Sequence, residues 1–196
     1  MTEERACIGH VRQREQLLQD ITKEKLSHAY LFAGKRHLGK FTIAKWFVEQ
    51  ILSYSQADTQ NMLSLLEKNT HPDVLVVDQL WIDGVCTDWG TIAQSSNIDQ
   101  QHRAKAKVKT DTIGIDDIRA LQKRLYETPQ GKKMCCVIRS LERLHITAAN
   151  ALLKILEEPP PNVLFCCTTE SLGSLPSTIV SRMRVLRFSP VPRSEL

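Results

Sequence analysis

The chain has 196 residues, 42% hydrophobic and 24% charged, with 26 Lys and Arg against 22 Asp and Glu for a formal net charge of +4. That composition supports one globular domain with a sizeable core, excludes a mostly disordered chain, and is compatible with a nucleic-acid neighbour without arguing for one. No apolar run approaches the roughly 18 residues of a spanning helix and the N-terminal stretch is polar rather than signal-like, so no membrane association and a cytoplasmic location are expected.

In chain order, an amphipathic helix is predicted from His10 to Lys25 with Leu17, Leu18 and Ile21 inward. A short apolar strand, His28 to Ala33, runs into Gly34-Lys35-Arg36-His37-Leu38-Gly39-Lys40, and the stripe Ala44, Phe47, Val48, Ile51, Leu52 follows at helical spacing. Strand, glycine loop and helix are the context that a phosphate-cradling P-loop requires. In G-x-x-x-x-G-K-[ST] the glycines let backbone N–H groups approach phosphate, the lysine reaches the outer phosphates and the final hydroxyl ligates magnesium. Here Phe41 stands in the place of that hydroxyl.

Asp73 to Val77 is a second predicted strand, with Leu80 to Cys86 as a hairpin partner, and a polar stretch from Thr87 to Thr110 reads as a solvated loop. Ile115, Ile118, Leu121 and Leu125 mark the next helix, with Asp116 and Asp117 suited to the dipole of its first turn. Met134 to Ile138 is a third strand. The helix Thr147 to Glu158 carries Ala149, Leu152, Leu153 and Leu156 on one face and stops at Pro159-Pro160-Pro161. Val163 to Cys167, a short helix from Leu175 to Ser181, and a fifth strand from Arg184 to Phe188 complete the series. Alternating helices and near-continuous apolar strands predict an α/β fold with a mainly parallel sheet covered on both faces.

The six cysteines include no C-x-x-C. Cys135-Cys136 and Cys166-Cys167 are adjacent pairs on strands, so the two members of each pair point to opposite faces and read as reduced, buried thiols. A P-loop ATPase also needs a carboxylate at the end of a later strand to hold magnesium. The strand from Met134 ends instead in Arg139-Ser140, with no acid before Glu142. An arginine there would face Lys40, a like-charge contact that costs roughly 4 kcal/mol near 4 Å at an effective dielectric of about 20.

Several longer blocks stand in order along nearly the whole chain: His28-Ala29-Tyr30-Leu31-Phe32, His71-Pro72-Asp73, Ile115-Asp116-Asp117-Ile118-Arg119, the stretch from Ala148 to Pro160, and Ser177 to Arg182. On these the chain resembles the AAA+ module of bacterial clamp-loader subunits, most closely the delta-prime branch of DNA polymerase III. The resemblance implies a P-loop-type three-layer fold with a five-stranded, mainly parallel sheet over residues 1–190, a polar insertion at about 87–110, and at 191–196 the start of a linker to a lid and collar region. Because the family continues past this point, the chain reads as a fragment of a longer protein.

The resemblance also sets the site expectations. Gly34, Gly39, Lys40 and Phe41 form a degenerate nucleotide-binding site, and Arg139 and Ser140 fall where active subunits carry the Walker B aspartate and glutamate. Thr168 or Thr169, after the fourth strand, matches a polar sensor residue. Ser181-Arg182-Met183 keeps the serine and arginine of the Ser-Arg-Cys signature, which gives Arg182 the role of an arginine finger acting in trans, a role that its permanent charge and fork of donors suit. Between the P-loop and the third strand, Cys86, His71 and His102 do not assemble a zinc site, so no metal is expected. ATP and magnesium are expected on partner subunits, with vestigial nucleotide binding possible in this chain, and the partners implied are gamma/tau-like and delta-like subunits of a hetero-oligomeric ring that acts on a sliding clamp and primed DNA. Three alternatives stay open: a weakly active ATPase that uses Thr42 and Glu142, a nucleotide binder whose Lys40 is not merely bonded to loop carbonyls, and a generic DNA-binding module built on Lys35, Arg36, Lys132, Lys133 and Lys154. On a helix, Thr42 is expected to point well away from the direction of Phe41.

Overall fold

A computed structural model describes residues 9–54, 62, 64–66, 70–77 and 112–192. Five strands, β1 (Ala29–Ala33), β2 (Val74–Val77), β3 (Met134–Ile138), β4 (Val163–Thr169) and β5 (Arg184–Arg187), form one sheet in the order β2-β3-β4-β1-β5 with every pairing parallel. The helices are α1 (Val11–Thr22), α2 (Lys40–Ser53), α3 (Ile115–Leu125), α4 (Ile146–Glu157) and the single turn α5 (Ser177–Val180). Parallel strands need crossover connections, and these helices supply them on both faces of the sheet.

The strand alternation builds two cores. Tyr30, Phe32, Cys135, Val137, Leu164 and Cys166 pack with Leu17 and Ile21 of α1 and Phe47 and Ile51 of α2. On the other face Leu31, Cys136, Ile138, Phe165 and Cys167 pack with Ile118 and Leu121 of α3 and Leu152 and Ile155 of α4. β1, β3 and β4 are buried along their whole length, which is why they read as continuous apolar runs. Each adjacent cysteine pair divides between the two cores, and all four thiols are free and fully buried, as their spacing predicts. Burial pushes the Cys135 thiol up to about 12 and raises the other three well above the ordinary thiol range.

Several boundaries differ from the sequence reading. α1 ends at Thr22 because Glu24 takes a left-handed conformation at φ 54°. Leu18 is 38% exposed rather than inward, because Leu17 and Ile21 already define the inner face and Leu18 lies a further turn of about 100° round the helix. The buried position goes to Asp20, whose carboxylate accepts from the Tyr30 hydroxyl at 3.0 Å and pairs with Arg184 at 2.6 Å. On α4, Ala148 and Ile155 join Ala149, Leu152 and Leu156 on the buried face, while Leu153 sits at its margin. The segment before β5 is a 3-10 turn, Leu172–Ser174, followed by α5, rather than one helix from Leu175. β4 runs two residues past Cys167, so Thr168 and Thr169 belong to the strand, where they face Phe32 and Ala33 of β1. The Leu80–Cys86 hairpin, the polar stretch 87–110, Cys7 and His102 lie outside the described residues.

His71-Pro72-Asp73 acts as a pin at the sheet's N-terminal edge. Asp73, 1% exposed, accepts from the Gln130 and Gly131 amides at 2.7 Å each, while its own amide donates to His71 Nδ1 at 3.1 Å. These bonds hold the turn that feeds β3. Replacing Asp73 by alanine leaves two amides without a charged acceptor, and a loss of about 3 kcal/mol is expected from a pair of charge-assisted bonds. Urea unfolding of Asp73→Ala against wild type measures it, and a loss under about 1 kcal/mol would show that the pin contributes only what an ordinary hydrogen bond does.

Candidate functional site

The loop from Gly34 to Lys40 leaves the C-terminal end of β1 and enters α2. Gly34 is fixed by crowding: its N–H donates to the Thr169 carbonyl at 3.1 Å, and a Cβ would lie 2.5 Å from the Phe188 carbonyl oxygen. Gly39 is fixed by conformation instead, with φ 72° and open space where a Cβ would stand. His37, at φ 61°, supplies the loop's other left-handed turn. Beneath the loop, His10 Nε2 sits 2.8 Å from the Leu38 carbonyl and its ring meets Phe188 edge-on at 4.8 Å, so the start of α1 braces the P-loop.

Lys40 opens α2 and is buried. Its ammonium donates to the carbonyls of Gly34 at 2.6 Å and Lys35 at 2.5 Å. Burial pushes its pKa down, opposed in part by the nearby carboxylates of Glu170 and Glu142. Beside it opens a cleft of about 250 Å³ whose walls include Arg36, Phe41, Arg139, Ser140, Glu142 and Glu170. The sheet therefore brings Gly39, Lys40, Phe41, Arg139 and Ser140 together, although 98 residues or more separate the two groups in sequence.

The place of the motif's hydroxyl is occupied by an aromatic ring with cations around it. The Arg139 guanidinium lies 5.4 Å and the Lys45 ammonium 5.8 Å from the Phe41 ring centroid, both within cation–π range. Arg139 follows β3 directly, and its N–H extends the β2 pairing by donating to Val77 at 3.0 Å. Ser140 then turns left-handed at φ 63°, and its N–H donates to Thr168 Oγ1 at 3.0 Å. Both threonines at the sensor position border the cleft; Thr168 Oγ1 accepts from Ser140, and Thr169 Oγ1 donates to the Ser171 carbonyl at 3.1 Å.

Two acids that sequence reasoning underweighted complete the wall. Glu170 pairs with Arg36 at 2.5 Å across the mouth of the cleft, and the Glu170 N–H donates to Glu142 Oε2 at 3.3 Å. Glu142 carries no pattern in the sequence beyond being the first acid after β3. Glu170 has one signal, its position directly after the polar end of β4. Thr42 also borders the cleft. Among the described residues no group of three or more His, Cys, Asp and Glu is placed to hold a metal ion. Arg36, Lys40 and Arg139 border the cleft with Phe41 in the hydroxyl's place, a poor fit for a magnesium–nucleotide complex, while Glu142 Oε1 is buried without a hydrogen-bond partner.

Arg182 lies away from this cleft. Its Nη1 donates to the Thr178 carbonyl at 2.8 Å and its Nη2 pairs with Glu157 Oε1 at 2.7 Å, at the junction of α4 and α5. Ser181 Oγ donates to the same carbonyl at 3.1 Å, and Met183 is buried in the core. No described helix is long and apolar enough to cross a membrane.

The family described as "DNA polymerase III, delta subunit" matches residues 9–192. Among solved structures, a DNA polymerase III gamma subunit-related protein of Thermotoga maritima shares 22% identity and superposes with a TM-score of 0.55, over 93% of this chain and 47% of its own. The RuvB Holliday junction branch migration motor of Thermotoga maritima shares 18% with a TM-score of 0.54, over 96% of this chain and 48% of its own. The chain thus spans about half the length of these structures, and at such identities the likeness is one of fold. A comparison with the curated proteins finds no match.

Proposed function

Because the chain belongs to the DNA polymerase III delta-subunit family of clamp-loader AAA+ proteins, we propose that it is a delta-prime-like subunit without ATPase activity of its own. In this reading it supports sliding-clamp loading by rigid placement in a hetero-oligomeric ring and lends Arg182 to the ATP site of a gamma/tau-like neighbour. The observation that carries the reading is Phe41 in the place of the motif's hydroxyl, with the Arg139 guanidinium 5.4 Å from its ring centroid. Like charge then opposes a divalent ion beside Lys40 and Arg139. Arg182 supports the second half of the proposal by its place, since it borders no part of this chain's own cleft and is half-buried on a surface turn.

A second reading, a weakly active ATPase, draws on Thr42 and Glu142, which both border the cleft. Calorimetric titration of the chain with magnesium–ATP separates the two. Absent or millimolar binding is expected from the first reading, and a micromolar site that depends on magnesium would replace it with the second.

A further inference from the structure

We propose that a pocket at the opposite end of the sheet from the P-loop docks a short acidic segment of a partner protein. The segment inserts one apolar side chain between the ends of α1 and α2 and sets its carboxylates against Lys132 and Lys133.

The five strands run parallel, so their N-terminal ends lie together, away from the loop that leaves the C-terminal end of β1. At that N-terminal end a cavity of about 250 Å³ opens among the end of α1, the connection into β1, the end of α2 and the residues leading into β3. Its apolar lining is Ile21, Leu26 and Ile51, and Tyr54, Lys132 and Lys133 border it. Ile21 and Ile51 are buried members of the core that α1 and α2 share, so the hollow reaches the edge of that core. Tyr54 is 64% exposed, an aromatic ring left in water beside an apolar hollow. Anchor side chains of a partner are received in pockets of this kind.

Charge selects the partner. Lys132 is exposed and Lys133 half-buried, and among the described residues neither holds an ion pair or a side-chain hydrogen bond. Lys23 and Lys25 flank Glu24, the acid that borders the cavity, so four ammonium groups stand here against that one carboxylate. Helix C-termini oppose an anion through their dipoles. At the end of α1, however, the amides of Lys23, Glu24 and Lys25 donate to Gln19, Ile21 and Asp20 at 2.9–3.0 Å, so those carbonyls are covered and the lysines set the sign. A nucleic-acid backbone offers phosphates but no group for the hollow, and a fatty acid offers one carboxylate for several lysines. A peptide with acids on both sides of one phenylalanine or leucine satisfies the cavity and the charge together.

The test follows amide chemical shifts of the nitrogen-15-labelled chain during titration to millimolar concentration with the acetylated peptide Asp-Glu-Asp-Phe-Asp-Glu-Asp. Shifts at Leu26, Ile51, Tyr54, Lys132 and Lys133 are expected, with Gly34 to Lys40 unmoved. The same peptide with alanine in place of phenylalanine should bind about tenfold more weakly or worse, as for the loss of one large buried apolar side chain. Lys132→Glu and Tyr54→Ala, both at exposed positions, should each weaken binding severalfold while a thermal melt shows the fold intact, and the effect of Lys132→Glu should shrink in high salt. No shifts at this end of the sheet, equal affinity for the alanine peptide, or full affinity in both variants overturns the inference. So does an oligothymidylate that moves the same amides as strongly, which assigns the lysines to nucleic acid instead. None of these outcomes bears on the reading of the P-loop, which the magnesium–ATP titration decides.

Discussion

Arg182→Ala is expected to lower ATP hydrolysis at the site facing this subunit by roughly a thousandfold in the assembled complex, the low end of what a trans-acting arginine contributes. The present contacts of Arg182 allow that role. Its pair with Glu157 is 35% and 42% exposed, and a surface pair of this kind contributes at most about 1 kcal/mol, so the side chain can leave it for a triphosphate at little cost. By the same magnitude the substitution should barely affect the fold of the subunit. Arg182→Lys should fail to rescue, because an ammonium is a point charge and cannot reproduce the guanidinium fork. Single-turnover hydrolysis in the reconstituted complex, with a thermal melt of the variant subunit as control, measures both effects. Unchanged turnover would remove the finger assignment and leave Arg182 as the tie between α4 and α5.

A steep alkaline limit to stability is the second large effect. Cys135, Cys136, Cys166 and Cys167 are free, fully buried and protonated in the folded chain, with Cys135 raised to about 12 and the others raised by the same loss of solvation. In the unfolded chain each titrates near 8.5. Below that value their contribution is fully present, and above it the unfolded state releases protons that the folded state keeps, so stability falls as pH rises towards the folded values. Each thiol contributes a slope of about 1.4 kcal/mol per pH unit in that window, and the four together about 5 kcal/mol per unit. The Tyr30 hydroxyl, raised chiefly by burial, adds to the fall above about 10. Urea midpoints measured from pH 7 to 10 should be flat at first and then drop sharply past 8.5. Replacing Cys135 and Cys166 by alanine should roughly halve the slope, whatever it does to the stability at pH 7.

Most elements were legible because burial on both faces leaves a simple trace. β1, β3 and β4 are runs of apolar residues with no alternation, and the helices between them carry clear stripes. The P-loop frame was legible for a different reason, since Gly34 and Gly39 answer local demands of crowding and of φ. Contacts that join distant segments left no such trace. Arg36 and Glu170 stand 134 residues apart and meet only because β1 and β4 are neighbours in the sheet. Nothing in their own neighbourhoods announces the pair. Leu18 lies at the edge of the stripe that Leu17 and Ile21 centre, and Asp20, on its other edge, is held inside by Tyr30 and Arg184.

The central claim is that this subunit serves a neighbour's ATP site and not one of its own. The most direct measurement compares Lys40→Ala and Arg182→Ala, each placed in this subunit alone, by single-turnover ATP hydrolysis in the reconstituted ring. Hydrolysis unchanged by Lys40→Ala and strongly reduced by Arg182→Ala is the predicted result. Loss of turnover with Lys40→Ala in a ring that still assembles, with Arg182→Ala silent, would contradict it.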